Sequence, residues 1–170
     1  SFQQLSAQYR PVSPNAGELL HELNNIQVVG SVLYIAAHPD DENTRLISYL
    51  AGHRGYRVGY LSLTRGDGGQ NLIGDEKGPL LGILRTQELL GARSIDGGEQ
   101  MFSRAIDFGY SKTPEETLEI WNKDKILADV VWAIRKFRPD VIITRFATPK
   151  RGGGGHGHNT ASAMLAHEAC

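Results

Sequence analysis

Val32-Leu33-Tyr34-Ile35-Ala36-Ala37-His38-Pro39-Asp40-Asp41-Glu42 is the stretch whose reading decides the fold. From Val28 to Ala37 it has the length and apolarity of a strand buried on both faces of a parallel sheet. It then runs into an imidazole and three carboxylates within five residues. The C-terminal ends of strands in open α/β sheets are where such groups are gathered for binding and chemistry.

A divalent metal used for hydrolysis needs neutral imidazole and carboxylate ligands, an open position, and a base to take a proton from water. His38 and one aspartate supply the first two ligands, leaving the other aspartate as base. Pro39 fixes φ and stiffens the turn between them. The plainer alternative is a helix start, with Asp40 or Asp41 as cap for a helix beginning near Asn43 and His38 as an ordinary strand-end residue. The His-Pro step in front of the carboxylates favours the chemical reading.

Outward from this strand, the pattern alternates. The residues before about 15 read as an extended lead-in, and Leu19, Leu20 and Leu23 mark a short amphipathic helix over Ala16 to Asn25. A helix is expected over Asn43 to Ala51, a second strand over Arg57 to Thr64 and a glycine-rich loop over 66 to 74. A helix over Ile83 to Arg93 and a short strand over Gln100 to Ala105 follow. Thr113-Pro114-Glu115-Glu116 opens a helix whose apolar positions recur from Leu118 through Trp132 to Phe137, where Pro139 stops it. Val141 to Thr144 reads as a buried strand, 150 to 157 as a flexible loop and Thr160 to Ala169 as a last helix. Alternating strands and helices imply an α/β, Rossmann-like, mainly parallel sheet with helices on both faces.

His156-Gly157-His158-Asn159 is the second chemical cluster. Taken alone, it reads as Asn159 capping the last helix with both histidines exposed on a loop. Taken with the first cluster, it supplies further ligands. Arg65-Gly66-Asp67-Gly68-Gly69-Gln70 matches neither Gly-x-Gly-x-x-Gly nor the P-loop, which argues against a nucleotide binder. As a site loop it lets backbone approach a ligand, with Arg65 and Asp67 as candidate substrate contacts. Arg85 and Glu88, three apart on a helix, read as an ion pair on its surface, with a substrate contact as the alternative. Glu42 either orients His38 or caps its helix. Trp121 and Trp132 read as core, and His21, His53 and His167 as surface residues.

His38-Pro39-Asp40-Asp41-Glu42 resembles the signature of the PIG-L/LmbE-like zinc-dependent N-acetylglucosamine deacetylases. Leu61 to Asn71 is similar to that family's second strand and glycine loop, Arg85-Thr86-Gln87-Glu88 to its Arg-x-x-Glu helix, and His156 to Asn159 to its His-x-x-His motif. The likeness covers most of residues 28 to 170, leaving 1 to 27 as an N-terminal lead-in and short helix. It implies a zinc site, another divalent metal being possible, with His38 and Asp41 as ligands, Asp40 as general base and His156 assisting at the tetrahedral stage. The third ligand falls on Asn159, where the family has histidine. An amide oxygen is a poorer zinc ligand than imidazole, so Asn159 coordinates weakly, His158 takes over, or the metal is lost. The chain is most similar to a branch in large, exported, multi-domain proteins of Bacteroidetes-type bacteria. That implies a periplasmic or secreted N-terminal piece of a longer chain acting on a small-molecule or glycan substrate.

Composition narrows the alternatives. A net charge of −1 offers no basic excess for nucleic acid. No apolar run reaches the roughly 18 residues of a transmembrane helix, and Cys170 alone permits no internal disulfide. The start at Ser1 without Met suits a trimmed or signal-cleaved chain. Oligomeric state has no signature. The function expected is a hydrolase that removes acetyl from an N-acetylated amino sugar. The competing reading is a metal-poor carbohydrate-binding domain of the same fold.

Overall fold

The structure is a computed structural model that describes residues 13–149 and 155–170. The lead-in at 1–12 and most of the loop expected at 150–157 therefore lie outside the described residues. Helix α1 (Ala16–Asn25) is followed by β1 (Ser31–Ala36), a short 3₁₀ turn (Pro39–Asp41), and α2 (Thr44–Ser48), which continues as one π-helical turn to His53. Then come β2 (Arg57–Ser62), α3 (Pro79–Asp96), β3 (Glu99–Phe102), α4 (Pro114–Trp121), α5 (Lys123–Phe137), β4 (Val141–Thr144) and α6 (Gly157–Glu168).

The four strands form one parallel sheet in the order β3-β2-β1-β4. Alternation along β1 sends Leu33 and Ile35 into a core with residues of α4, α5 and α6. Tyr34 and Ala36 point the other way, into a core with Ile47 of α2 and Leu89 of α3. Both faces are thus covered, as the apolar run of β1 requires. The chain steps outward from β1 to β2 to β3, then crosses back to place β4 on the other side of β1. Successive right-handed crossovers in opposite directions put their helices on opposite faces. The crevice between such halves opens beyond the C-terminal ends of β1 and β4.

One expected helix is two. The apolar period continues from Leu118 to Phe137, but Asn122 sits at φ 58°, ending α4, and its side chain accepts a hydrogen bond from the Lys125 N–H to start α5. Asn is among the few residues that tolerate this left-handed geometry, and it is a good N-cap. Across this break the apolar period no longer predicts burial. Trp121 is in the core, whereas Trp132 is 58% exposed with Lys136 over its ring. His21, His53 and His167 are on the surface as expected.

Candidate active site

Backbone and side chain together fix the turn after β1. Pro39 opens the 3₁₀ turn, and Asp41 Oδ2 accepts the His38 backbone N–H at 2.8 Å while lying 3.2 Å from His38 Nδ1. From β2, the Tyr60 hydroxyl donates to the His38 carbonyl at 2.5 Å, and Thr64 donates to the Ala37 carbonyl from both its N–H and its hydroxyl. Burial pulls the His38 pKa down. The hydrogen bond to Asp41 and the charges of Asp41, Asp107 and Asp40 outweigh it, and the net shift is upward.

The second half of the site arrives on α6. This helix begins at Gly157, three residues before the expected start, with His156 rather than Asn159 as its N-cap. Gly157 lies so close to Ser111, Thr113 and Thr117 that a Cβ there would fall 2.3 Å from the Thr113 carbonyl oxygen. The next residue, His158, is fully buried rather than exposed, between Phe108 (4.4 Å between ring centroids) and Trp121 (4.9 Å). Burial, reinforced by His38 and His156, lowers its pKa to about 3. His158 is therefore neutral, and its 3.8 Å approach to Asp107 is no ion pair.

His158 Nδ1 meets His38 Nε2 at 2.9 Å. His156 stands edge-on to His38, 5.2 Å away, and burial followed by the charge of His38 lowers its pKa. Its Nδ1 accepts the His158 backbone N–H, which leaves Nε2 as the proton-bearing nitrogen of the neutral ring.

These residues meet at a cavity of about 430 Å³ lined by His38, Asp40, Arg85, Asp107, Tyr110 and His156, with Gly68, Gly69 and Gln70 as one wall. Asp40 is largely exposed, its side chain 72% accessible, and pairs with Arg85 Nη2 at 3.2 Å. Arg85 was expected to pair with Glu88. It lies instead across the glycine loop, where a Cβ on Gly66 would sit 2.5 Å from its Nη1. Gly66 also holds φ 69°, and this left-handed backbone is what favours glycine there.

Arg65 and Asp67 are not brought into this cavity. They line a neighbouring one, where Arg65 stacks over Phe102 and bonds Thr86, and Asp67 receives the Asp107 N–H. Glu42 neither orients His38 nor caps α2. It faces the buried Arg93, itself paired with Asp96, and Asn43 caps the helix.

Asp107 and Tyr110 were not singled out in the sequence. They follow β3 just as His38 follows β1, and the strand-end rule applied to that weaker strand points to them.

Among the described residues two donor sets can hold a cation, His38 with Asp40 and Asp41, and His38 with His156 and His158. The two nitrogens of one imidazole diverge, so one ion uses one set. Two buried polar atoms lack partners among the described residues, His158 Nε2 and Asn159 Oδ1. An orphaned amide oxygen one residue after His158 suits an oxygen-binding divalent ion, because such buried groups are otherwise satisfied.

Fold and site define an α/β protein with a histidine- and carboxylate-lined cavity at the C-terminal edge of its sheet. The chain belongs to the PIG-L family, whose model, described as GlcNAc-PI de-N-acetylase, matches residues 33–169. No curated protein sequence matches it.

Among solved structures, the N,N'-diacetylchitobiose deacetylase of Pyrococcus horikoshii is 20% identical, with a TM-score of 0.60 over 94% of this chain and 60% of that one. The 4-carboxy-2-hydroxymuconate hydratase GalB of Pseudomonas putida KT2440 has the same TM-score, 0.60, at 18% identity, covering 83% of this chain and 55% of that one. A deacetylase of the teicoplanin pathway reaches 0.54 at 14% identity, over 83% and 59%. These likenesses show the fold, and the chain spans 55 to 60% of the length of those three proteins. Deacetylases and a hydratase share it, so the reaction must be argued from the site. Among the described residues no helix is long and apolar enough to cross a membrane.

Proposed function

We propose that this domain is a metal-dependent hydrolase that removes the acetyl group from an N-acetylated amino sugar or a related glycoconjugate. The observation that carries the reading is Asp40, an exposed carboxylate pinned by Arg85 at the mouth of the cavity and adjacent to the His38–Asp41 pair. Membership of the PIG-L family supports it.

His38, through Nδ1, and Asp41 would hold the cation, with the Asn159 amide oxygen as the third ligand. When bound, such an ion polarises an amide carbonyl and lowers the pKa of water. His158, neutral and encased, meets His38 Nε2 through its Nδ1 and holds the ring in place, the usual task of a group behind a metal ligand. Asp40 takes the proton of the attacking water and returns it to the departing amine. His156, with its proton on Nε2 at the cavity wall, donates to the carbonyl oxygen as negative charge develops there. Tyr110, exposed at the rim and edge-on to His156, offers an aromatic face to a sugar ring.

The test is metal content of the purified protein with and without added zinc, alongside acetate release from N-acetylglucosamine and N,N'-diacetylchitobiose. Near-stoichiometric metal that disappears in His38→Ala, together with acetate release abolished by chelation, is the expected result. Acetate release unchanged by both would refute the proposal.

A second reading rests on Asn159, whose amide is a weak zinc donor. The domain would then bind carbohydrate without turnover. Sugar binding in the parent protein, with zinc uptake and acetate release appearing only in Asn159→His, would select it.

A further inference from the structure

Helix α3 buries one face and, among the described residues, leaves the other without a partner. Leu81, Gly82, Leu89, Arg93 and Asp96 face the protein. At 100° per residue, the opposite face carries Leu80, Ile83, Leu84, Gln87, Leu90, Gly91, Ser94 and Ile95, with no charge among them. Its five large apolar side chains are exposed by 61% (Leu80), 59% (Ile83), 42% (Leu84), 46% (Leu90) and 89% (Ile95). Together they present roughly 550 Å² of apolar surface, near the upper end for a monomer's largest patch and most of the ~800 Å² each partner buries in a stable interface.

Gly91 is the second observation. A Cβ at this position would meet nothing within 4 Å, so nothing among the described residues requires a glycine. In the interior of an exposed helix glycine costs stability relative to alanine, and a close approach from outside accounts for its presence.

The stripe is also self-complementary about its centre. Laid antiparallel on a second α3 with Gln87 on the two-fold axis, Ile83 falls opposite Gly91 of the other copy. Leu84 then meets Leu90, and Leu80 meets Ser94. In two of these three pairings a large residue meets a small one, a pattern that lets helix axes approach closely. Gln87, with both a donor and an acceptor, can bond its own counterpart across the axis. The uncharged face sets no like charges against each other.

We propose that α3 is the interface of a two-fold symmetric homodimer of this chain. It needs neither the metal nor the catalytic assignment above.

The test is mass in solution by sedimentation, from low to high micromolar concentration, for the parent chain, Leu84→Glu and Gly91→Leu. The expected result is a concentration-dependent dimer in the parent. Both variants should be at least about tenfold weaker in dimerisation, with unchanged circular dichroism. Gly91→Leu keeps the inference testable, because it adds helix propensity and open space surrounds the site. Gln87→Cys in a Cys170→Ser background should form a disulfide-linked dimer faster than the exposed control Arg135→Cys, because only a residue on the axis meets itself. A parent that is monomeric throughout overturns the proposal, leaving the stripe to another protein or to a further segment of a longer chain. A dimer indifferent to Gly91→Leu, or equal cross-linking at positions 87 and 135, overturns it too.

Discussion

The two turns that build the cavity are made in opposite ways. The turn after β1 is local. Pro39 starts it, Asp41 closes it onto His38 three residues back, and Tyr60 and Thr64 tie its backbone to β2 and the residues just after it. The turn into α6 has local bonds only to His156, whose Nδ1 accepts the His158 N–H and whose carbonyl accepts the Asn159 N–H. The rest of its position comes from Gly157 seated against Ser111, Thr113 and Thr117, and from His158 held between Phe108 and Trp121. Substitutions in the first turn should therefore change chemistry and spare the fold. Those in the second should change the fold and reach the chemistry only through it.

Asp40→Asn gives the largest expected effect and tests the first half of that contrast. The side chain keeps its shape and is exposed, so the melting temperature should hardly move. Loss of the base should lower turnover by about 10²–10⁴-fold, with metal content unchanged. Turnover within a few fold of the parent would remove Asp40 from the mechanism.

Gly157→Ala probes the second turn. Its Cβ would press on backbone, the Thr113 carbonyl oxygen, which has no free rotation to yield. Overpacking of this kind costs about 1–3 kcal/mol, or several degrees in melting temperature for a domain of this size. A variant as stable as the parent would show that α6 is not seated as described.

Asn159→His addresses the same turn through the metal. Imidazole is the better zinc ligand, and zinc affinity should rise by about tenfold or more in competition with a chromophoric chelator. Asn159→Ala should lower it, while His158→Ala should cost stability before affinity. The reverse order for these two alanine variants would move the ion to the His156–His158 side of His38.

The same contrast explains what the sequence made legible. The α/β order, the buried strand of β1 and the His38–Asp41 pair depend on neighbouring residues and on periods of two and 3.6, so they could be read directly. The burial of His158 could not, because it depends on Phe108 and Trp121, far away along the chain. Arg85 was assigned to Glu88 by helical spacing, yet a packed sheet brought Asp40 within 3.2 Å. Asp107 and Tyr110 follow the least apolar strand read, where the strand-end rule had least to hold on to. Arg65 and Asp67 lie within a few residues of the cavity wall. Which side of that wall a loop residue takes is set by tertiary packing of Gly68 against Asp107, where a Cβ would come within 2.3 Å of the carbonyl oxygen.

The smallest expected effect reaches the second turn from furthest away. Asn122 ends α4 in left-handed geometry and starts α5, and this break lets α4 lie beneath α6, with Thr113 and Thr117 against Gly157. Asn122→Ala loses the cap to the Lys125 N–H and places a Cβ residue at φ 58°, for a total of about 1 kcal/mol or somewhat more. Asn122→Gly loses the same cap but accepts the backbone, so it should cost only a few tenths of a kcal/mol. Amide exchange should then quicken at residues 157–160 in the alanine variant and stay unchanged at 38–41. Equal quickening at both turns would mean that they share one support and that the local character assigned to the first is wrong.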